Sequence, residues 1–290
     1  MCDQYSVYEY KRVNDCSIKC DVYPGVTGAP VAVYIHGGGL IFGGRGDLPA
    51  ATVEPFMKEG YWVVSIDYRL APETKLPQIV EDVRDALDWV RMNRRKEFDY
   101  DADRMVVIGG SAGGYLTLMA GTFDKKPRAL VSLYGYGNIL GDWYRNPSPH
   151  YCKEPLVSLM DAQKAIKNIE LSEVNTAERF PIYLRSRQNG TWVGMVSGYD
   201  MLTEMEKIES YCPILNIAKD YPPTMLLHGD KDTDVPYEQS VDMYNALRAH
   251  GLTAELITYP GGDHAFDWNK NDPIVSDMAN KALTFVKAHI

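Results

Sequence analysis

The residues best suited to chemistry lie in a run of glycines around one serine, Gly109-Gly110-Ser111-Ala112-Gly113-Gly114. The run follows the apolar stretch RMVVIG (104–109) and precedes the helical pattern AGGYLTLMAG (112–121). A G-x-S-x-G pattern alone is weak, because glycine and serine are common; its position between a strand and a helix makes it strong. A serine at such a turn is held in a strained conformation with its hydroxyl above the sheet, and its neighbours must be small to avoid the adjoining strand and helix. The competing explanation is a glycine turn that only packs a helix on a strand, or that holds a phosphate.

A hydroxyl becomes a nucleophile when a base takes its proton and a third group fixes the tautomer of that base. Among six histidines, His264 in Gly261-Gly262-Asp263-His264-Ala265-Phe266 follows the last strand-like run and is the expected general base, against the plainer reading of a solvated loop histidine. His250 and His289 fall at helix C-termini, where the helix dipole accounts for them. The acid is expected after the run TMLLH (224–228), within Gly229-Asp230-Lys231-Asp232-Thr233-Asp234-Val235-Pro236. All three aspartates also pass as ordinary loop acids. Asp234 reads as the cap of a helix starting at Pro236 and Asp230 as a shaper of the turn, which leaves Asp232 as the orienting carboxylate. The third element is His36-Gly37-Gly38-Gly39. Attack on a carbonyl creates an oxyanion, and the unobstructed N–H groups of Gly38 and Gly39, with that of Ala112, would hold it. His36 reads as a brace for this loop.

These groups need a scaffold that brings distant segments to one edge. Strand-length apolar runs recur at 31–36, 61–67, 104–109, 129–134, 224–228 and 254–259, most of them continuous as in strands buried on both faces. Helical patterns fall between them at 50–58, 76–98, 112–122, 237–250 and 274–289. In the second, Ile79, Val83, Ala86, Leu87 and Val90 form one buried stripe. Strands alternating with helices predict an α/β fold with a mostly parallel sheet of about eight strands, preceded by an antiparallel hairpin from 5–10 and 17–22. Residues 138–212 break the alternation. They are expected to form an insertion, with helices at 156–169 and 201–210, over the carboxyl edge where open α/β sheets bind ligands. The expected organisation is a core of 1–137 and 213–290 with a lid of 138–212. Trp143, Tyr144, Trp192, Met195, Tyr199 and Met201 are candidates to line an acyl or aryl pocket, although packing among themselves explains most of them more simply.

Composition narrows the function. The chain has 290 residues, 45% hydrophobic, with a net charge of −9, which argues against disorder and against nucleic-acid binding. No secretory signal, no membrane-length apolar run and no C-x-x-C pair is visible, so a cytoplasmic protein with reduced thiols and no membrane partner is expected. Neither H-E-x-x-H nor paired cysteines occur, so no metal and no cofactor are expected. The acidity concentrates in 213–290, where eleven acidic face six basic side chains, and predicts a preference for neutral or cationic over anionic substrates.

The order serine, aspartate, histidine is that of the α/β-hydrolase fold. With HGGG at His36, the segment Tyr68-Arg69-Leu70-Ala71-Pro72-Glu73 and GGSAGG around Ser111, the chain resembles the hormone-sensitive-lipase-like esterases of that superfamily over roughly residues 25–137 and 215–290. The resemblance implies a cofactor-free carboxylesterase acting on short or medium acyl esters, a small-molecule partner with a homodimer left open, and catalytic and oxyanion roles for Ser111, Asp232, His264, Gly38, Gly39 and Ala112. It departs in having Gly110 where members carry an acidic residue. The H-G-x-x-D-x-x-V-P pattern from His228 is similar to prolyl-oligopeptidase-like and feruloyl-esterase-like members, which leaves ester against amide open, the amide alternative being an aminopeptidase or arylformamidase. A non-catalytic binding protein of the same superfamily is the third reading.

Overall fold

The structure, a computed structural model, describes residues 4–93 and 98–290. It opens with a hairpin of β1 (Ser6–Val13) and β2 (Cys16–Tyr23), whose turn places Asn14 at positive φ, a conformation asparagine tolerates. Then follow β3 (Pro30–Ile35), α1 (Ala50–Lys58), β4 (Trp62–Ile66), α2 (Leu76–Asn93), β5 (Asp101–Gly110), α3 (Ala112–Ala120) and β6 (Ala129–Leu133). The insertion carries α4 (Asp142–Arg145), α5 (Leu159–Ala165), α6 (Thr176–Asn189), α7 (Trp192–Ser197) and α8 (Met205–Glu209). The chain ends with β7 (Thr224–Gly229), α9 (Glu238–Ala249), β8 (Ala254–Tyr259) and α10 (Pro273–His289).

The eight strands form one sheet in the order β1-β2-β4-β3-β5-β6-β7-β8. Pairing is parallel from β4 through β8 and antiparallel where the hairpin joins. The continuous apolar runs are explained by cover on both faces. One core joins the stripe Ile79, Val83, Ala86, Leu87 and Val90 of α2 to Leu116 of α3 and to Met243 and Leu247 of α9; the other joins Val53 and Phe56 of α1 to Met278 and Phe285 of α10. The expected extension of α2 to residue 98 crosses 94–97, outside the described residues. Among the described residues no helix is long and apolar enough to cross a membrane.

The insertion differs from expectation. The helix expected over 156–169 is only α5, which starts from the Ser158 cap and stops where Ile166 turns extended, and that over 201–210 shrinks to α8. Leu156, Leu159, Met160, Ile166 and Ile169 are exposed rather than forming a buried face, so their periodicity misled. The principal helix, α6, was not anticipated, because its inward face carries Arg179, Arg187 and Gln188, all buried, where a stripe of apolar residues would be sought. Those arginines fasten the insertion to the core. Arg179 binds Glu73 in the segment after β4, Arg187 binds Asp234 after β7, and from the core Arg69 reaches Glu170 while Arg45 reaches Glu173.

Candidate active site

Four loops leave the carboxyl ends of β3, β5, β7 and β8 side by side. After β5, Ser111 sits at φ 57°, ψ −122°, with its N–H on the Leu133 carbonyl of β6 at 2.9 Å. Such a backbone costs on the order of 1–3 kcal/mol in a residue with a side chain and persists only where its surroundings enforce it. Here close approach enforces it: a Cβ on Gly113 would lie 2.0 Å from the Ile35 carbonyl oxygen and 2.6 Å from that of His36, so the first turn of α3 presses directly on the end of β3.

The structure brings Ser111, His264 and Asp232 into one hydrogen-bonded chain, with His264 Nε2 3.0 Å from Ser111 Oγ and His264 Nδ1 2.7 Å from Asp232 Oδ2. Asp232 is a saturated acceptor. Its Oδ1 takes the N–H groups of Asp234 and Val235 at 2.9 and 2.8 Å, and its Oδ2 also takes Nε2 of the buried His228 at 3.1 Å. Burial opposes ionisation, but the hydrogen bonds from the two histidines hold this carboxyl well below its ordinary value. His264 moves the other way. Burial pulls its pKa down, and the hydrogen bond to Asp232 with the charges of Asp234 and Asp263 outweigh that, leaving it raised.

On the opposite side, Gly38 stands at φ 96°, and a Cβ there would meet the Phe42 carbonyl oxygen at 2.0 Å, so only glycine fits. Its own carbonyl takes the N–H groups of Ile41 and Phe42, which folds the loop back on itself. Among the described residues no protein acceptor takes the N–H of Gly38, Gly39 or Ala112. His36 serves the loop: it is fully buried, stacks on Tyr68 at 4.2 Å and donates from Nδ1 to the Gly37 carbonyl. Burial pushes it down to about 4, so it is neutral at ordinary pH.

Several residues at this site escaped the sequence. His228 braces Asp232 from behind and is itself held by Ser240 and the Val235 carbonyl; its spacing of four from Asp232 was the available signal. Tyr134 lies edge-on to the His264 ring at 4.7 Å and donates to the buried Asp267, whose carboxyl burial raises. A Cβ on Gly110 would lie 2.7 Å from the Tyr134 hydroxyl, so Tyr134 occupies the space that a larger residue before the serine would need. Asp234 does not cap the following helix, which starts at Glu238. Its Oδ1 instead takes Tyr183 at 2.6 Å and Arg187, and its Oδ2 lies 3.8 Å from His264 Nε2. The Asp230 side chain does not brace its own turn but ties it to the loop after β8, accepting the N–H of Gly261 at 2.7 Å.

Ser111 and His264 open into a cavity of about 360 Å³, walled by the glycine loop, Phe42, Asp47, Tyr134, Thr176, Tyr183, Asp234 and Trp268. None of the six insertion side chains considered as pocket walls lines it. Trp143, Tyr144 and Trp192 stack on one another, and Trp192 donates to the Gly39 carbonyl at 2.9 Å, so this cluster supports the loop from outside. Tyr199 packs near Tyr211 at 6.5 Å, and Met195 accepts Lys75 through its backbone.

A doubly covered, mostly parallel sheet with a serine on the sharp turn after β5 defines an α/β-hydrolase. The family model BD-FAE matches residues 21–247, and the chain belongs to that family. The dienelactone hydrolase family model matches residues 209–288. Among curated relatives, the non-reducing polyketide synthase Preu3 of Preussia isomera is 26% identical over 89% of this chain, and Esterase LipC of Mycobacterium tuberculosis 26% identical over 82%. The chain spans 12% of the first and 53% of the second. Among solved structures, a protein of unknown function from Staphylococcus aureus superposes with a TM-score of 0.80 at 24% identity, over 98% of this chain and 99% of that one.

Proposed function

We propose that the protein is a serine carboxylesterase that cleaves short to medium acyl esters of small molecules through an acyl-enzyme. The observation that carries this reading is the unbroken chain from Ser111 Oγ through His264 to Asp232, opening into a cavity beside three unclaimed backbone N–H groups. Ser111 Oγ attacks the ester carbonyl while His264 Nε2 takes its proton, and Asp232 stabilises the imidazolium. The tetrahedral oxyanion is held by the N–H groups of Gly38, Gly39 and Ala112. His264 returns the proton to the leaving alcohol as the C–O bond breaks. Water then attacks the acyl-serine, its proton passing to His264 and on to Ser111 Oγ as the acid departs.

A serine, base and acid all present and in contact favour turnover over a non-catalytic binding role. The esterase among the relatives supports an ester rather than an amide as the scissile group. The expected result is that Ser111→Ala abolishes hydrolysis of p-nitrophenyl butyrate and that a fluorophosphonate adds its mass to the peptide carrying Ser111. Undiminished turnover in Ser111→Ala would overturn the reading.

A further inference from the structure

We infer that Asp234 is a specificity-determining residue, which selects esters whose alcohol carries an O–H or N–H donor on the carbon next to the ester-bearing one. The inference rests on the proposed role of His264 as the proton donor to the leaving alcohol. In that step the leaving oxygen must lie at His264 Nε2, and Asp234 Oδ2 is 3.8 Å from that nitrogen, on the wall of the same cavity. A donor separated from the leaving oxygen by two carbons therefore comes within reach of a carboxylate.

The carboxylate is built to receive one. Asp234 is held from three directions: Oδ1 accepts both the Tyr183 hydroxyl and Arg187 Nη1, its carbonyl accepts Arg187 Nη2 at 3.1 Å, and its N–H is fixed on Asp232. Arg187 is buried and ringed by Trp143, Tyr144, Tyr151 and Tyr183 at 4.8–5.6 Å, so the cation paired with Asp234 Oδ1 is held away from the cavity and does not compete for Oδ2. No lysine or arginine lines the cavity among the described residues, and its other carboxylate, Asp47, already accepts the Gly44 N–H at 3.1 Å.

The test compares butanoate esters of matched alcohols. The 2-hydroxyethyl ester carries the donor, n-propyl replaces it with a methyl group, and 2-methoxyethyl keeps the oxygen without its proton. A dimethylammonioethyl ester adds an N–H donor with charge, and the choline ester carries charge without a donor. The expected result is a kcat/KM for 2-hydroxyethyl at least about tenfold above n-propyl and 2-methoxyethyl, as for a hydrogen bond to a charged acceptor. Dimethylammonioethyl should likewise exceed choline. Both ratios should collapse toward one in Asp234→Asn and persist in Asp47→Asn. Ratios within one preparation are independent of the folded fraction, and the wild-type ratios stand without any variant.

Equal kcat/KM for 2-hydroxyethyl and n-propyl in the wild type would overturn the role of Asp234 while leaving the esterase standing. So would a choline ester matching the dimethylammonioethyl ester, or a preference lost in Asp47→Asn but kept in Asp234→Asn. Failure to hydrolyse any ester of the panel would instead overturn the esterase reading.

Discussion

Asp232→Asn keeps the shape of a side chain and changes the direction of its hydrogen bonds. In the native site both oxygens only accept, Oδ1 from the backbone of Asp234 and Val235, Oδ2 from His264 Nδ1 at 2.7 Å and His228 Nε2 at 3.1 Å. Asparagine has one acceptor oxygen. Two fixed backbone N–H groups claim it, so the amide nitrogen must take the place of Oδ2 and face both imidazoles. His264 then offers a lone pair at Nδ1 and carries its proton on Nε2, 3.0 Å from Ser111 Oγ, where it can no longer accept the serine proton. His228 cannot relieve the conflict, because the Nε2 that would accept from the new amide also faces the Val235 carbonyl at 3.1 Å.

Two consequences of different size follow. The wrong tautomer should lower kcat on p-nitrophenyl butyrate on the order of 10⁴-fold, the scale found when this substitution is made in a Ser-His-Asp site. The mismatched acceptors behind it should cost roughly 1–3 kcal/mol of stability, a fall in Tm of several degrees. Normalising kcat to the fraction labelled by a fluorophosphonate under forcing conditions separates the two. A normalised kcat within about tenfold of wild type would refute the tautomer argument, and with it the role of Asp232.

Further outcomes follow from the same geometry. Because His264 must be neutral to act as a base and its pKa is raised, kcat/KM for a neutral ester should fall as the pH drops through a midpoint above the ordinary 6.5; a midpoint at or below it would contradict the carboxylate environment. Gly113→Ala would place a Cβ 2.0 Å from the Ile35 carbonyl and shift the glycine loop, lowering stability by about 3 kcal/mol and kcat with it. A variant with wild-type Tm would show that this contact relaxes freely. Arg187→Met would remove the buried cation that binds Asp234 on the cavity wall, at roughly 1.5–3 kcal/mol in urea unfolding as for a hydrogen bond to a charged group, and a loss under about 1 kcal/mol would mean that the pair is not needed to fasten the insertion.

What could be read from the sequence divides along a physical line. The sheet, its covering helices and the places where Ser111, His264 and Asp232 come together were legible because they depend on local rules: continuous apolar runs, a periodic helix face, glycines where strand meets helix. The insertion was not, because its order rests on long-range polar contacts that periodicity does not encode. Arg179 and Arg187 look like surface residues of a weakly apolar helix, and only their partners Glu73 and Asp234 in distant loops reveal an inward face. Asp234 was misread for the same reason. An aspartate before Val-Pro satisfies the local rule for a helix cap, and here a nonlocal cation takes precedence. The aromatic residues of the insertion were better judged by the simpler explanation, since stacking among Trp143, Tyr144 and Trp192 accounts for them without a ligand.

The position of α6 has a consequence for how the proposed esterase can change. The same helix gives Thr176 and Tyr183 to the cavity wall and Arg187 to the loop that carries Asp232 and Asp234. Tyr183 belongs to both, lining the cavity and donating to Asp234, which stands 3.8 Å from the nitrogen of the base. A substitution at Tyr183 that enlarges the cavity therefore also removes one of the donors that orient Asp234, so a change in cavity shape there also changes the field at His264. Trp268 is on the same wall but more than half exposed, in the short turn that follows the His264 loop, and has no part in the Arg187–Asp234 pair. For the proposed esterase, substitutions at Trp268 are therefore expected to shift relative kcat/KM among esters with little change in kcat, whereas at Tyr183 the two should change together through one carboxylate.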